Sequence, residues 1–209
     1  MRAAALLKVA VESKGIEVVL EAQTAAIEGN GKAERVVLKD GRVFPADLVV
    51  MAAGIQPETA LAESGAIEIG RGVKVDDKFE TNWPGVYAVG ECAEHRGTCY
   101  GIVEPVYEQA KALARYLSGR PARYEGSLMA SSLKVSGVPV YSMGDFEGEG
   151  AETIMLEDEG AGTYRKLVVR DGRLAGVVLF GDTGDAFWYR DLIRQAAPLA
   201  PFRALLPFG

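Results

Sequence analysis

The stretch Pro84-Gly85-Val86-Tyr87-Ala88-Val89-Gly90-Glu91 decides how this chain is read. Proline and glycine mark a turn, four apolar or aromatic residues follow as a buried strand, and Gly90-Glu91 ends it. In open α/β sheets ligands sit beyond the carboxyl ends of the strands, where a glycine lets a ligand approach the backbone. An acidic residue just past that glycine, here Glu91, can accept hydrogen bonds from sugar or ribityl hydroxyls. A helix opening at Pro105 and running through Leu117 would aim free N–H groups and its positive dipole end at an electron-rich ring edge. The same residues also support a plainer reading, a buried strand ending in a turn with Glu91 solvated or capping a helix.

Working outward from that stretch, residues 47–54 form a near-continuous apolar run that ends in Ala52-Ala53-Gly54. Such a run suits a strand buried on both faces, as in a parallel sheet covered by helices. Leu6, Leu7, Ala10 and Val11 fall at helical spacing before Gly15, and residues 16–20 then read as a strand. Asp40-Gly41 separates two alternating segments as a hairpin turn would. Residues 57–64 read as a short helix closed by Gly65, and Val73-Lys74-Val75 as a brief strand. From about Tyr124 the texture changes to short strands, with a hairpin signal at Asp171-Gly172 and a last helix over residues 186–196. The expected architecture is α/β through residue 120 with a small α+β module after it.

Composition bounds what such a chain does. The 209 residues carry 23 Lys+Arg against 29 Asp+Glu, and this acidic balance argues against a nucleic-acid partner. Apolar content of 48% is that of a globular protein, so disorder is excluded as the main state. Two cysteines and one histidine cannot supply a closed zinc or iron–sulfur site without carboxylate help, and no metal site is expected. The cysteine count also excludes a disulfide-dense secreted scaffold and points to a reducing cytoplasm. No apolar run approaches the ~20 residues of a membrane-spanning helix.

The order of the pieces adds a resemblance. Ala46-Asp47-Leu48-Val49-Val50-Met51-Ala52-Ala53-Gly54-Ile55-x-Pro57 precedes Thr81-x-x-Pro84-Gly85-Val86-Tyr87-Ala88-Val89-Gly90-Glu91 by the length of a small helix and strand. That pair resembles the second half of the two-dinucleotide-binding-domain flavoproteins, the pyridine nucleotide–disulfide oxidoreductase superfamily. The resemblance implies that the first stretch closes the NAD(P)H domain and that the second is the late FAD fingerprint, with Glu91 on the ribityl chain. Gly101-Ile102-Val103-x-Pro105-x-Tyr107, Leu133-Lys134-Val135-x-Gly137-Val138-x-Val140 and Gly176-Val177-Val178-Leu179-x-Gly181-Asp182-Thr183-x-Asp185 are similar to the flavoprotein part of NAD(P)H-dependent nitrite reductase large subunits.

No Gly-x-Gly-x-x-Gly occurs in the chain, although such loops cradle the pyrophosphates in this superfamily. The chain therefore resembles such a flavoprotein with its N-terminal portion absent. By resemblance, residues 1–54 would end the NAD(P)H domain, 55–120 form the second segment of the FAD domain, and 121–209 form a C-terminal α+β interface domain. The implied cofactors are FAD, at a partial site, and NAD(P)H in the complete enzyme. The implied cofactor-binding residues are Ala53, Gly54, Gly90, Glu91, Glu104, Pro105 and Val106, with Val106 the first useful N–H donor because Pro105 has none. No catalytic residue is assigned.

The implied function is electron input: hydride from NAD(P)H to FAD, then electrons onward to a metal centre. Implied partners are the missing N-terminal segments, or domains bearing iron–sulfur and siroheme groups, and self-association through exposed apolar edges along Val49, Val50, Val86 and Val89. Two other readings stay open. One is a ferredoxin- or rubredoxin-reductase-like flavoprotein, and the other a non-catalytic interaction or dimerisation module. Among the remaining residues, Cys92 reads as a small buried residue, and Cys92 with Cys99 does not form a close redox pair. His95 reads as an exposed loop residue, and residues 147–158 as a solvated charged loop.

Overall fold

The computed structural model describes residues 2–135 and 137–209. It divides into two compact units, one built mainly from the residues up to Ala53 and the other from Gly54–Val135 with Pro139–Gly209. The first unit opens with helix α1 (Arg2–Glu12), where Lys8 and Glu12 pair one turn apart. A three-stranded antiparallel sheet follows, β1 (Thr24–Glu28), β2 (Arg35–Leu38) and β3 (Val43–Pro45), in the order β1-β2-β3. Asp40-Gly41 makes the β2–β3 turn as expected. The Asp40 carboxylate accepts from the Arg42 backbone N–H at 3.0 Å and from its Nε at 2.8 Å.

The second unit begins with the short helix α2 (Ala60–Ser64) and strand β4 (Val73–Val75). β4 pairs in parallel with β5 (Ala93–His95), which turns back into β6 (Thr98–Cys99). Helix α3 (Val103–Leu117) comes next, with Glu104 in its first turn and Arg115 in its last, each placed to complement the helix dipole. The rest is a five-stranded antiparallel sheet of β7 (Ala130–Val135), β8 (Val138–Gly144), β9 (Glu152–Asp158), β10 (Thr163–Arg170) and β11 (Arg173–Phe180). Its order is β7-β8-β11-β10-β9. Asp171 and Gly172 join β10 to β11 with φ of 49° and 69°, the paired positive values that a two-residue hairpin of matching twist requires.

The core of this unit lies between the sheet and helix α4 (Ala186–Arg194). Leu167, Val177, Leu179, Tyr189, Leu199 and Leu206 are fully buried there. Each such side chain contributes about 1.5–3 kcal/mol by leaving water. Tyr189 meets its polar requirement inside the core, since its Oη donates to the Leu206 carbonyl at 2.7 Å and accepts from Arg165 Nη1 at 3.3 Å.

Three expected strands do not form. Residues 47–54 are irregular and unladdered, and Leu48, Val50 and Met51 are 79%, 77% and 80% exposed. A strand buried on both faces needs neighbours at both edges, and among the described residues none pairs with this run. Residues 86–89 make a single bridge, Glu80 to Tyr87, and stay half-exposed for the same reason. Residues 16–20 likewise have no partner strand, and Leu20 is exposed. Residues 152–158 form the edge strand β9, which includes the short strand expected over residues 153–156 and cuts into the expected charged loop, with side chains largely solvated.

Candidate functional site

Gly90 holds a φ of 92°, in the left-handed region that glycine adopts without strain. Its carbonyl accepts from the Ala93 N–H at 3.1 Å, closing a tight turn that puts the exposed Glu91 at its outer side. Its own N–H points inward and donates to Gln109 Oε1 at 2.8 Å. A Cβ at Gly90 would meet Val106 Cγ1 at 3.8 Å, so the turn rests directly on α3. Pro105 is buried beside it, and Pro105, Val106 and Gln109 fall on one helical face by their spacing.

Helix α3 starts two residues earlier than expected. Ile102 occupies the N-cap in an extended conformation and offers no side-chain cap. The helix then begins at Val103, so the Val106 N–H lies four residues from the Ile102 carbonyl, where the first intrahelical bond closes. The uncapped first-turn donors are thus the N–H groups of Val103 and Glu104, and Pro105 lacks one. Glu104 is exposed, and its Oε1 lies 2.9 Å from Arg194 Nη2, which also reaches Glu108 Oε1 at 2.9 Å. That guanidinium offsets a carboxylate that would otherwise repel electron-rich groups at the helix start.

Below this end lies a hydrogen-bonded chain between α3 and the segment leading to β7. Ser127 Oγ donates to Glu108 Oε2 and lies 2.6 Å from Tyr124 Oη, while the Ser127 N–H donates to Tyr100 Oη at 3.1 Å. Burial pushes the Tyr124 phenol up to about 12. A cleft of about 550 Å³ opens beside Glu108, Ser127 and Arg194.

His95 is not the exposed loop residue expected. It sits on β5 and is 1% exposed, with Nε2 2.9 Å from Asp77 Oδ1 and its ring 4.8 Å from that of Tyr124. Asp77 gathers Arg96, His95 and Arg123, and these partners hold its carboxyl well below the usual carboxylate range. Cys92 and Cys99 are free and partly buried, and burial followed by the Glu94 charge pushes the Cys99 thiol up. Among the described residues no cluster of His, Cys, Asp and Glu could hold a metal ion.

The structure seats Gly90 on α3 against Val106 and Gln109, with Glu91 next in the chain and Glu104, Pro105 and Val106 in the first turn of the helix. Ala53 closes the first unit and Gly54 opens the second. Ile55, next in the chain, lies 3.0 Å from where a Gly101 Cβ would stand, so its side chain packs closely on the residue before α3. Sequence reasoning missed Gln109 and Arg194. Gln109 was discoverable as a polar residue one turn beyond Pro105 and Val106 on the inner helical face, whereas nothing local marks Arg194. Glu91 as acceptor and two free N–H groups as donors are the chemistry required along one edge of a flavin with its hydroxylated chain. On that donor set the residues fit FAD as far as they go.

Residues 1–114 match the family profile described as pyridine nucleotide–disulphide oxidoreductase. The chain belongs to this family. Residues 130–197 match a second profile, the rubredoxin NAD+ reductase C-terminal domain. The chain is 49% identical to the assimilatory nitrate reductase electron transfer subunit of Bacillus subtilis, over 88% of this chain and 24% of that protein. It is 45% identical to a nitrite reductase [NAD(P)H] of the same organism, over 93% of this chain and 24% of that protein. Among solved structures, reduced Bacillus anthracis CoADR-RHD superposes with a TM-score of 0.82 at 26% identity, covering 95% of this chain and 40% of that one. The chain thus spans about a quarter of the length of these curated relatives. The mixed α/β fold agrees with the sequence reading, and no helix among the described residues is long and apolar enough to cross a membrane.

Proposed function

We propose that this chain supplies part of the FAD-binding edge and the C-terminal module of an NAD(P)H-dependent oxidoreductase that feeds electrons to nitrite or nitrate reduction. The observation that supports this reading is the Gly90–Glu91 turn, whose Gly90 is seated on α3, a helix with no side-chain cap at its start. In this reading residues 1–54 end an NAD(P)H domain, 55–120 are the second segment of an FAD domain, and 121–209 form the interface domain. A bound flavin would supply two-electron exchange with a nicotinamide and onward transfer to a metal centre held elsewhere. This chain's residues bind and orient: Glu91 accepts from a hydroxylated chain, Val103 and Glu104 donate from the helix start, and Arg194 offsets the Glu104 charge. Free cysteines accord with a reducing, cytoplasmic setting.

A second reading is favoured by the match of residues 130–197 to a rubredoxin reductase C-terminal domain, with a rubredoxin-like protein as acceptor. A visible spectrum of the purified chain, before and after incubation with FAD and gel filtration, tests the shared part. Co-eluting flavin supports it, and a colourless chain under saturating FAD refutes flavin binding. Reduction of rubredoxin by NADH, measured on the chain completed with its N-terminal nucleotide domains, separates the two acceptors.

A further inference from the structure

We propose that Gln109 is the positioning residue that fixes Glu91 relative to the start of α3; the inference rests on the flavin reading above. Among the described residues, Gln109 and His95 are the buried polar side chains of the chain. His95 has its carboxylate partner, and Gln109 gives its Oε1 to the Gly90 N–H while its Nε2 lies toward the Tyr124 phenol without a hydrogen bond of good geometry. A buried amide costs desolvation that an apolar side chain of similar length would avoid, so stability alone gives no reason for glutamine here. What the glutamine adds is the contact of Oε1 with the Gly90 N–H, 19 residues away in sequence. The bond also sets the amide orientation, since the flipped amide would place two donors face to face.

The consequence is mechanical. Gly90 is buried, and its N–H faces α3 instead of a strand ladder. Without the Gln109 oxygen that N–H would be orphaned, and the turn would gain by rotating outward to find water, carrying Glu91 with it. Val106 limits the approach of the turn from one side of the helix, and Gln109, one turn further along, draws it in. Together they set how far the Glu91 carboxylate stands from the N–H groups of Val103 and Glu104. A ligand that uses both ends needs that spacing held before it arrives.

The test compares Gln109→Met, which keeps length and loses the acceptor, with Gln109→Glu, which keeps an acceptor. Amide exchange is followed at Gly90–Ala93 and in β11, and FAD affinity is measured by flavin fluorescence. Gln109→Met is expected to leave β11 protection intact while exchange at the Gly90 amide speeds up about tenfold, the scale of one net hydrogen bond. FAD affinity should fall by about the same factor, and Gln109→Glu should restore the Gly90 protection. Because Gln109 acts through Glu91, Glu91→Ala/Gln109→Met should bind FAD no more weakly than Glu91→Ala alone. Unchanged Gly90 exchange in Gln109→Met overturns the tether. Faster exchange with unaltered FAD affinity, or losses that simply add in the double variant, overturns the positioning role. A wild-type chain that binds no FAD refutes the flavin reading itself, while the exchange data decide the tether in either case.

Discussion

Arg194 offers the most quantitative test of how α4 is tied to α3. One guanidinium nitrogen stands 2.9 Å from both Glu104 and Glu108, four residues apart on α3. All three side chains are about one-third to one-half exposed, at 36%, 47% and 35%, so solvent screens the attraction strongly. Exposed pairs of this kind contribute about 0.2–1 kcal/mol each, and two pairs sharing one cation do not add fully. Replacing Arg194 by Met keeps much of the packing and leaves two carboxylates one turn apart, which repel by a few tenths of a kcal/mol. We expect Arg194→Met to destabilise the chain by about 1 kcal/mol, and by less than half of that in about 1 M salt. Urea unfolding followed by fluorescence of Trp188, which lies on α4 itself, reads the change. A double-mutant cycle with Glu104→Gln should return a coupling of about 0.5 kcal/mol. A loss above about 3 kcal/mol that salt does not alter would mean a desolvated bridge and would refute this reasoning.

Three further outcomes are expected. Leu179→Ala, at a fully buried position of the central strand β11, should cost about 2–5 kcal/mol in urea or thermal unfolding; a cost under 1 kcal/mol would contradict the core assignment. The Asp77 pKa is depressed in the folded chain, so its stabilising share is complete above the unfolded value of 3.8 and is lost as pH falls through the lower folded value. The stability gap between wild type and Asp77→Asn should therefore be constant near neutrality and close below about pH 4; a gap that already closes near neutrality would contradict the assignment to Asp77. The exposed apolar run at Leu48, Val50 and Met51 should drive concentration-dependent association in sedimentation velocity, reduced by Leu48→Lys with Val50→Ser. A monomer at every concentration would exclude this run as a contact surface.

Much of the second unit was legible because its signals are local. Alternating runs around Asp171-Gly172 specify a hairpin whatever else surrounds them, and β10 and β11 form where that pattern places them. Residues 47–54 and 86–89 misled for the opposite reason. Their apolar content reports that burial is required, but a ladder depends on which strands lie alongside, and that is not written in the run itself. His95 was read from its polar neighbours, whereas its burial follows from Asp77, Phe79 and Tyr124, distant in sequence. The Gly90–Glu91 end of the candidate site was visible as a motif. The contacts that hold it, Gln109 to Gly90 and Arg194 to Glu104, join residues 19 and 90 positions apart and emerge only from the fold.

The Gly90–Glu91 turn, seated on α3 through Gly90, forms part of the proposed flavin-binding edge. The most direct test of this central claim is a fluorescence titration of the chain with FAD, wild type beside Glu91→Ala, with circular dichroism confirming that both are equally folded. The account predicts saturable binding by the wild type and an affinity about tenfold or more lower in the variant, the scale of charge-assisted hydrogen bonds to hydroxyls. Equal affinities for the two proteins, or no binding by either, would contradict it.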